Sequence, residues 1–192
     1  MSAPSQRTIV KEITVEGCGV HSGEAATLTF RAAEPGSGIR FRRVDLDGSP
    51  EVPACLDHVV DTDLGTSLAA GETKVLTVEH VMAALGALEI DNVTLDLAGP
   101  EIPIRDGSFQ DYFRALSDAG PVEQGAEARV ISIGEPVMTD GDPGQSYVAT
   151  KGSGLRVSAT IDFEHDAIGR RFGSFSAAAG AFAIELAPAR TF

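Results

Sequence analysis

A carboxylate and an imidazole, Glu79 and His80, stand side by side at the start of the apolar run in LTVEHVMAALGALEI, residues 76–90. A neutral imidazole is a common zinc ligand, and a neighbouring unligated carboxylate can take a proton from water whose pKa the ion has lowered. Adjacent helical residues point about 100° apart, so these two side chains can border one site more easily than they can share one ion. The pair therefore indicates one metal ligand and one general base.

The same helix cannot complete a metal site. In the HExxH pattern a second histidine follows the first at i+4, whereas Ala84 occupies that position here. Two other groups, in HVVDTD (58–63) and EHDA (164–167), carry potential donors, but both are typical of loop residues that solvate turns. The simple alternative for the pair itself is a solvated carboxylate at a helix start beside an uninvolved histidine.

The element that must position this pair is predicted to be a helix. Thr77 is a good N-cap, and Glu79 falls in the first turn, where the helix dipole favours a negative charge. Apolar residues recur at spacings of three and four and predict one buried face. They are Val78, Val81, Met82, Leu85 and Leu88.

A second helix is predicted in FQDYFRALSDAG, residues 109–120. Ser108 can cap its start, Gly120 lies just past its end, and Pro121 follows. Before these helices, from Arg7 to Phe41, the chain alternates between apolar and polar residues with a period of two, as half-buried strands do.

The polar stretch 121–128 has no periodicity and is predicted to be a linker. A new β run begins at Arg129, so residues 1–122 form a first β/α domain with the TVEH helix. Residues 123–192 contain the linker and a second unit that starts in the same way but does not reach its helices. Residues 174–186 are compatible with either helix or strand.

The charge balance argues against nucleic acid as a partner. Fifteen Lys and Arg face 28 Asp and Glu, giving a net charge of −13 that repels phosphate backbones and anionic lipid. A local cluster, Arg40 with Arg42 and Arg43, could still attract a small anion.

The amino-terminal sequence MSAPSQRTIV has no apolar signal segment, and no stretch approaches the roughly 18 apolar residues of a membrane span. The two cysteines, Cys18 and Cys55, are best interpreted as reduced thiols because no export signal is present. We therefore expect a cytoplasmic protein without an integral membrane segment.

Four segments together carry a resemblance to a known family: residues 7–46, DTDLGTSL (61–68), the run from TVEH to EIPIRDGS (77–108), and ARTF (189–192). In one register they resemble the zinc-dependent UDP-3-O-acyl-N-acetylglucosamine deacetylases of lipid A synthesis in Gram-negative bacteria. The resemblance implies an α+β fold of two similar layered β/α domains with the active site between them, the second domain being truncated here. It also implies hydrolysis of the acetyl amide at the 2-amino position of UDP-3-O-acyl-N-acetylglucosamine.

The resemblance also implies roles for matching residues. His80 would be a zinc ligand, Glu79 the general base, and Thr191 the residue that polarises the acetyl carbonyl and stabilises its oxyanion. Three further side chains would line or border the substrate: His21, Leu64 and Phe192.

In the family, the other two zinc ligands come from a His-x-x-x-Asp motif beyond ARTF, so they are absent from this chain. A catalytic zinc site needs about three protein ligands. We therefore expect these 192 residues alone to be inactive or nearly so, and to need a complementing C-terminal portion. The alternative is a non-catalytic fragment or a sugar-nucleotide-binding module.

Overall fold

A computed structural model describes residues 4–191 and shows a mixed α and β protein in which strands dominate. Before the first helix the strands are β1 (Ser5–Ile9), β2 (Ile13–Cys18), β3 (Ala25–Ala32), β4 (Ile39–Arg43), β5 (Glu51–Pro53), β6 (Val59–Asp61), β7 (Ser67–Ala70) and β8 (Thr73–Val75). After it come β9 (Val93–Ala98), β10 (Pro121–Glu127), β11 (Val137–Asp140), β12 (Ser146–Ala149), β13 (Arg156–Asp162) and β14 (Arg170–Ser176). The helices are α1 (Glu79–Ala87), α2 (Gln110–Ala119) and the short α3 (Ala179–Ala181), which continues into a π-helical turn, Phe182–Leu186; a 3-10 turn occupies Leu56–His58.

The central feature is a five-stranded sheet in the order β2-β3-β9-β4-β5. Adjacent strands of this sheet pair antiparallel, except that β4 and β9 pair parallel. Every second side chain of β9, from Val93 to Leu97, is fully buried, as expected for a middle strand. On the core side, the rings of Phe30 in β3 and Tyr112 in α2 meet edge to face, with centroids 6.3 Å apart. The helices thus cover a sheet face, and the core forms between these layers.

A smaller sheet, β6-β7-β8, leads the chain into α1. Its last strand ends at Val75, and Leu76 then forms an isolated parallel bridge with Glu101. This bridge fixes the start of α1 against the segment that follows β9.

The predicted buried face of α1 is confirmed, with Met82 half-buried and the other four apolar residues buried. The predicted capping role of Thr77 is wrong. The helix begins at Glu79 after Val78, and the Thr77 hydroxyl donates instead to Glu101 Oε1 at 2.7 Å. The hydroxyl is therefore occupied by a residue 24 positions away rather than by the helix N-terminus.

The second predicted helix is also present. The Ser108 hydroxyl accepts a hydrogen bond from the Gln110 amide at 3.2 Å, next to the first turn of α2. Gly120 follows the helix with φ of +74°, the left-handed conformation that a C-terminal glycine allows. The predicted C-terminal end of α2 is confirmed, whereas the N-cap position is Phe109 rather than Ser108.

The prediction of a linker at 121–128 is wrong in its local structure. Pro121–Glu127 is strand β10, and it pairs antiparallel with β1, from Ile9 opposite Pro121 to Ser5 opposite Glu127. Polar residues suit this two-stranded ribbon because most of its side chains are partly or fully exposed to water. The division into two domains remains a prediction.

Beyond β10 the chain forms two separate hairpins, β11-β12 and β13-β14. Almost all of their side chains are exposed, including Met138 at 74% and Phe172 at 72%. The ambiguous stretch 174–186 contains both structures, since β14 ends at Ser176 and helical turns occupy residues 179–186. Within residues 4–191, none of the helices is both long and apolar enough to cross a lipid bilayer.

Candidate functional site

Glu79 and His80 are the first two residues of α1, and their surroundings differ. Glu79 is half-buried, and its Oε2 accepts the backbone N–H of Thr66 at 2.9 Å. His80 is only 4% exposed, and its ring lies against Phe109, with centroids 4.8 Å apart and planes tilted by 34°. Among the residues that the structure describes, none forms a hydrogen bond with its buried Nδ1. One side chain is thus oriented by a backbone amide, and the other presents an unpaired ring nitrogen.

His21 and Leu64 lie on the same side of α1 as Glu79. His21 Nε2 is 3.2 Å from the backbone oxygen of Leu64, whose own side chain is 82% exposed. A methyl group built on Gly65 would lie 3.4 Å from Glu79 Oε1, 3.6 Å from Thr77 Oγ1 and 3.7 Å from His21 Nε2. Loops that are distant in sequence therefore meet around this glycine.

Thr191 reaches the loop that precedes α2. Its backbone N–H donates to Gly107 O at 2.9 Å, Arg190 forms an antiparallel bridge with Ser108, and an Arg190 Nη2 contacts Asp106 Oδ2 at 3.4 Å. The next residue in that loop, Phe109, is the one that packs on His80. Phe192, a predicted substrate contact, lies outside the described residues.

An apolar cluster supports the ring of Phe109 from behind. Phe182, in the π-helical turn, has its ring centroid 6.0 Å from that of Phe109 and 5.4 Å from that of Phe113. Ala87 of α1 and Ala187 are buried with it. The Phe109 ring that contacts His80 is therefore supported by apolar residues from near the end of the described chain.

Glu101 is a residue that the sequence reasoning missed. Its carboxylate is fully buried and accepts hydrogen bonds from the amides of His21 and Ser22 and from the hydroxyl of Thr77. Burial by itself raises its pKa, but the bonds from Ser22, Thr77 and His21 outweigh burial and hold the pKa below its usual range. The only sequence signal is an acid within the apolar run EIPI, residues 101–104.

These residues meet only part of what a zinc ion requires. His80 suits the role of one donor, since its imidazole is buried with an unpaired nitrogen. Within residues 4–191, however, no three His, Cys, Asp or Glu side chains come together as a metal-binding group. His58 Nδ1 lies 3.1 Å from Cys55 Sγ, and His165 Nδ1 accepts the amide of Ala167, so both behave as turn residues. The described part of the chain thus contains a candidate ligand in His80 but not a complete zinc site.

The arginine cluster proposed for small anions is neutralised by carboxylates. Arg42 donates two hydrogen bonds to Asp96, and Arg43 donates two to Asp45. Arg40 contacts Glu51 at 3.5 Å. Since each guanidinium has an acidic partner, the cluster is better described as part of the sheet's own charge pairing than as an anion site.

Comparison with known proteins gives a consistent result. Residues 6–192 match the family described as LpxC, UDP-3-O-acyl N-acetylglycosamine deacetylase. A UDP-3-O-acyl-N-acetylglucosamine deacetylase of Myxococcus xanthus is 42% identical over 192 residues, which is all of this chain and 60% of the relative. One from an Anaeromyxobacter species is 43% identical over 98% of this chain and 61% of its own length.

A third relative, the bifunctional enzyme LpxC/FabZ of Chlorobaculum tepidum, is 38% identical over 97% of this chain and 40% of its own length. The chain thus spans about 60% of the length of the Myxococcus and Anaeromyxobacter deacetylases, and it corresponds to their N-terminal part. Because the match covers nearly every residue, the chain belongs to the UDP-3-O-acyl N-acetylglycosamine deacetylase family.

Proposed function

We propose that this chain carries part of the active site of a cytoplasmic deacetylase that hydrolyses the acetyl amide of UDP-3-O-acyl-N-acetylglucosamine in lipid A synthesis. The observation that supports this best is the meeting of Glu79 and His21 around Gly65, beside the buried imidazole of His80. The named activity of the relatives supplies the substrate class.

In this proposal Glu79 is the general base. Its Oε2 is held by the Thr66 amide, while Oε1 is the oxygen nearest Gly65. A carboxylate fixed in this way can accept the proton of the water that attacks the acetyl carbon. The C–N bond then breaks, and the leaving amine gains a proton.

His80 is proposed as one zinc ligand, with the remaining ligands supplied from outside the described residues. When bound, zinc would polarise the acetyl carbonyl and lower the pKa of water. The stack on Phe109 holds the His80 ring in place.

The Thr191 hydroxyl is proposed to donate a hydrogen bond to the acetyl carbonyl oxygen of the substrate as negative charge develops there. Its backbone bond to Gly107 keeps it beside the loop that precedes Phe109. The exposed side chain of Leu64, with His21 and Phe192, is proposed to border the substrate.

The 192-residue chain alone is proposed to be inactive or nearly so, because one imidazole does not hold a catalytic zinc ion. A non-catalytic sugar-nucleotide-binding module is the second candidate. It is favoured because the described residues contain no group of three potential metal ligands, and it keeps the surface around His21 and Leu64 without the chemistry.

The test uses the chain alone and the chain supplied with the C-terminal remainder of the Myxococcus xanthus relative. We expect stoichiometric zinc and deacetylation only in the complemented protein. There, His80→Ala should abolish bound zinc, whereas Glu79→Gln should retain zinc and lose about 10²- to 10⁴-fold in rate. Equal zinc in the wild type and His80→Ala, or full turnover by the chain alone, would contradict the proposal.

A further inference from the structure

We propose that Glu101 is a positioning residue, whose buried carboxylate ties the loop carrying His21 to the start of α1 and so sets the distance between His21 and Glu79. This inference rests on the proposed function, because it gives the spacing of these two side chains a purpose. Its structural content can be measured independently of activity.

The carboxylate of Glu101 joins two segments that are far apart in sequence. Oε1 accepts the Thr77 hydroxyl at 2.7 Å and the His21 amide at 3.1 Å. Oε2 accepts the Ser22 amide at 2.7 Å and lies 3.2 Å from the His21 amide nitrogen. Each oxygen has donors, and the side chain is fully buried, so an ionised group of this length is well matched to the position.

The loop backbone comes unusually close to this carboxylate. A methyl group built on Gly19 would overlap the Glu101 carboxylate and the Ser22 hydroxyl. Gly19 therefore allows the loop backbone to come close enough for the His21 and Ser22 amides to donate hydrogen bonds to the Glu101 carboxylate.

On the other side, the carboxylate holds Thr77 in a rare backbone conformation. Thr77 has φ of +61°, which β-branched residues seldom adopt. Its hydroxyl bond to Glu101 compensates for this conformation two residues before Glu79. The direction in which α1 leaves Thr77, and with it the place of Glu79, thus depends on the same carboxylate.

Both held segments border the space at Gly65. Around that glycine, Glu79 Oε1, Thr77 Oγ1 and His21 Nε2 all lie within 3.7 Å of the position that a methyl group would take. Loss of the Glu101 contacts would free the His21 loop from the start of α1 and increase the distance between His21 and Glu79.

The experiment compares Glu101→Gln with Asp96→Asn in the 192-residue chain. Asp96 is a second buried carboxylate, but its partners are Arg31 and Arg42 rather than the His21 loop. Glutamine offers one acceptor oxygen where Glu101 offers two, so the His21 and Ser22 amides should exchange with deuterium about tenfold faster or more. The amide of Leu116, a fully buried residue within α2, reports general destabilisation in both variants.

A second readout is the NMR signal of the His21 imidazole, which should shift in Glu101→Gln and stay at its wild-type position in Asp96→Asn. Glu101→Asp keeps the charge but shortens the side chain, so it should change the same signals in the same direction and provides the test if Glu101→Gln does not fold. The proposal is overturned if the His21 and Ser22 signals are unchanged, or if Asp96→Asn changes them equally. These outcomes do not depend on zinc or turnover.

In the complemented enzyme, Glu101→Gln should lower kcat at wild-type zinc content. A wild-type kcat with disturbed His21 signals would overturn the positioning role while leaving the deacetylase assignment intact. Absence of activity in the wild-type protein would instead count against the proposed function alone.

Discussion

Two regions of this molecule are built from similar strands but differ in what covers them. In residues 4–127, apolar side chains such as Leu28 and Phe30 are fully buried beneath α1 and α2. In residues 128–178, Met138 and Phe172 project from hairpins into solvent. Apolar alternation specifies a strand with two different faces, but burial depends on a partner layer that lies elsewhere in the chain.

Most of the candidate site residues lie in the covered region. Glu79, His80, His21 and Leu64 all belong to the covered region, whose packed core fixes their backbone. Thr191 is the exception, because it joins them through the loop at Gly107. Matched substitutions in the two regions can therefore test whether burial differs between them in solution.

The largest expected effect comes from a pair of phenylalanines. Phe30→Ala should destabilise the protein by about 3–5 kcal/mol, because it leaves a cavity between β3 and Tyr112. Phe172→Ala should change stability by less than about 0.5 kcal/mol, since its ring is already in water. Urea unfolding followed by circular dichroism measures both, and equal losses would show that the hairpins are packed in solution.

The second largest expected difference is in the stability cost of replacing two aspartates, Asp96 and Asp140. Burial raises the pKa of Asp96, but its bonds and charge contacts with Arg42 and Arg31 outweigh this and leave the pKa below its usual value. The stabilisation is therefore complete above the unfolded pKa of about 4 and is lost as pH falls through the lower folded value.

Asp96→Asn should accordingly cost about 1–3 kcal/mol at neutral pH and less near the folded pKa. Asp140→Asn, at an exposed position of β11, should stay within about 0.5 kcal/mol throughout. Urea midpoints across a pH series provide the measurement. A cost for Asp96→Asn that grows as pH falls would refute the sign of this linkage.

The smallest expected difference in stability is between alanine substitutions at two glycines, one destabilising and the other neutral or stabilising. Gly120→Ala places a side chain at φ of +74° and should cost about 1 kcal/mol. Gly173→Ala adds a methyl group in β14 where the described residues leave open space, so it should be neutral or stabilising by up to about 0.5 kcal/mol. Thermal unfolding measures the change in stability for both variants.

The sequence was sufficient to predict elements whose evidence is local. The spacing of apolar residues predicted the buried face of α1, and Gly120 marked the end of α2, because a helix brings residues three and four apart onto one face. Glu79 and His80 were selected from their residue types alone, and their roles as base and ligand remain predictions.

The missed features depend on partners far along the chain. Strand β10 pairs with β1 across more than a hundred residues, and its polar composition suggested only a linker. Thr77 looks like a cap until Glu101 is placed beside it. Glu101 itself has no local pattern, because its donors become neighbours only after the central sheet has formed.

The pairing of β1 with β10 also has a mechanical consequence. Ser5 and Glu127 lie opposite each other at one end of the ribbon, while Ile9 and Pro121 lie at the other. Tension applied between residues 5 and 127 would load the backbone bonds one at a time from the open end, like a zipper, rather than all at once in shear. A pull transmitted from the hairpins would thus peel this ribbon before it strained the strands that support His21 and Glu79.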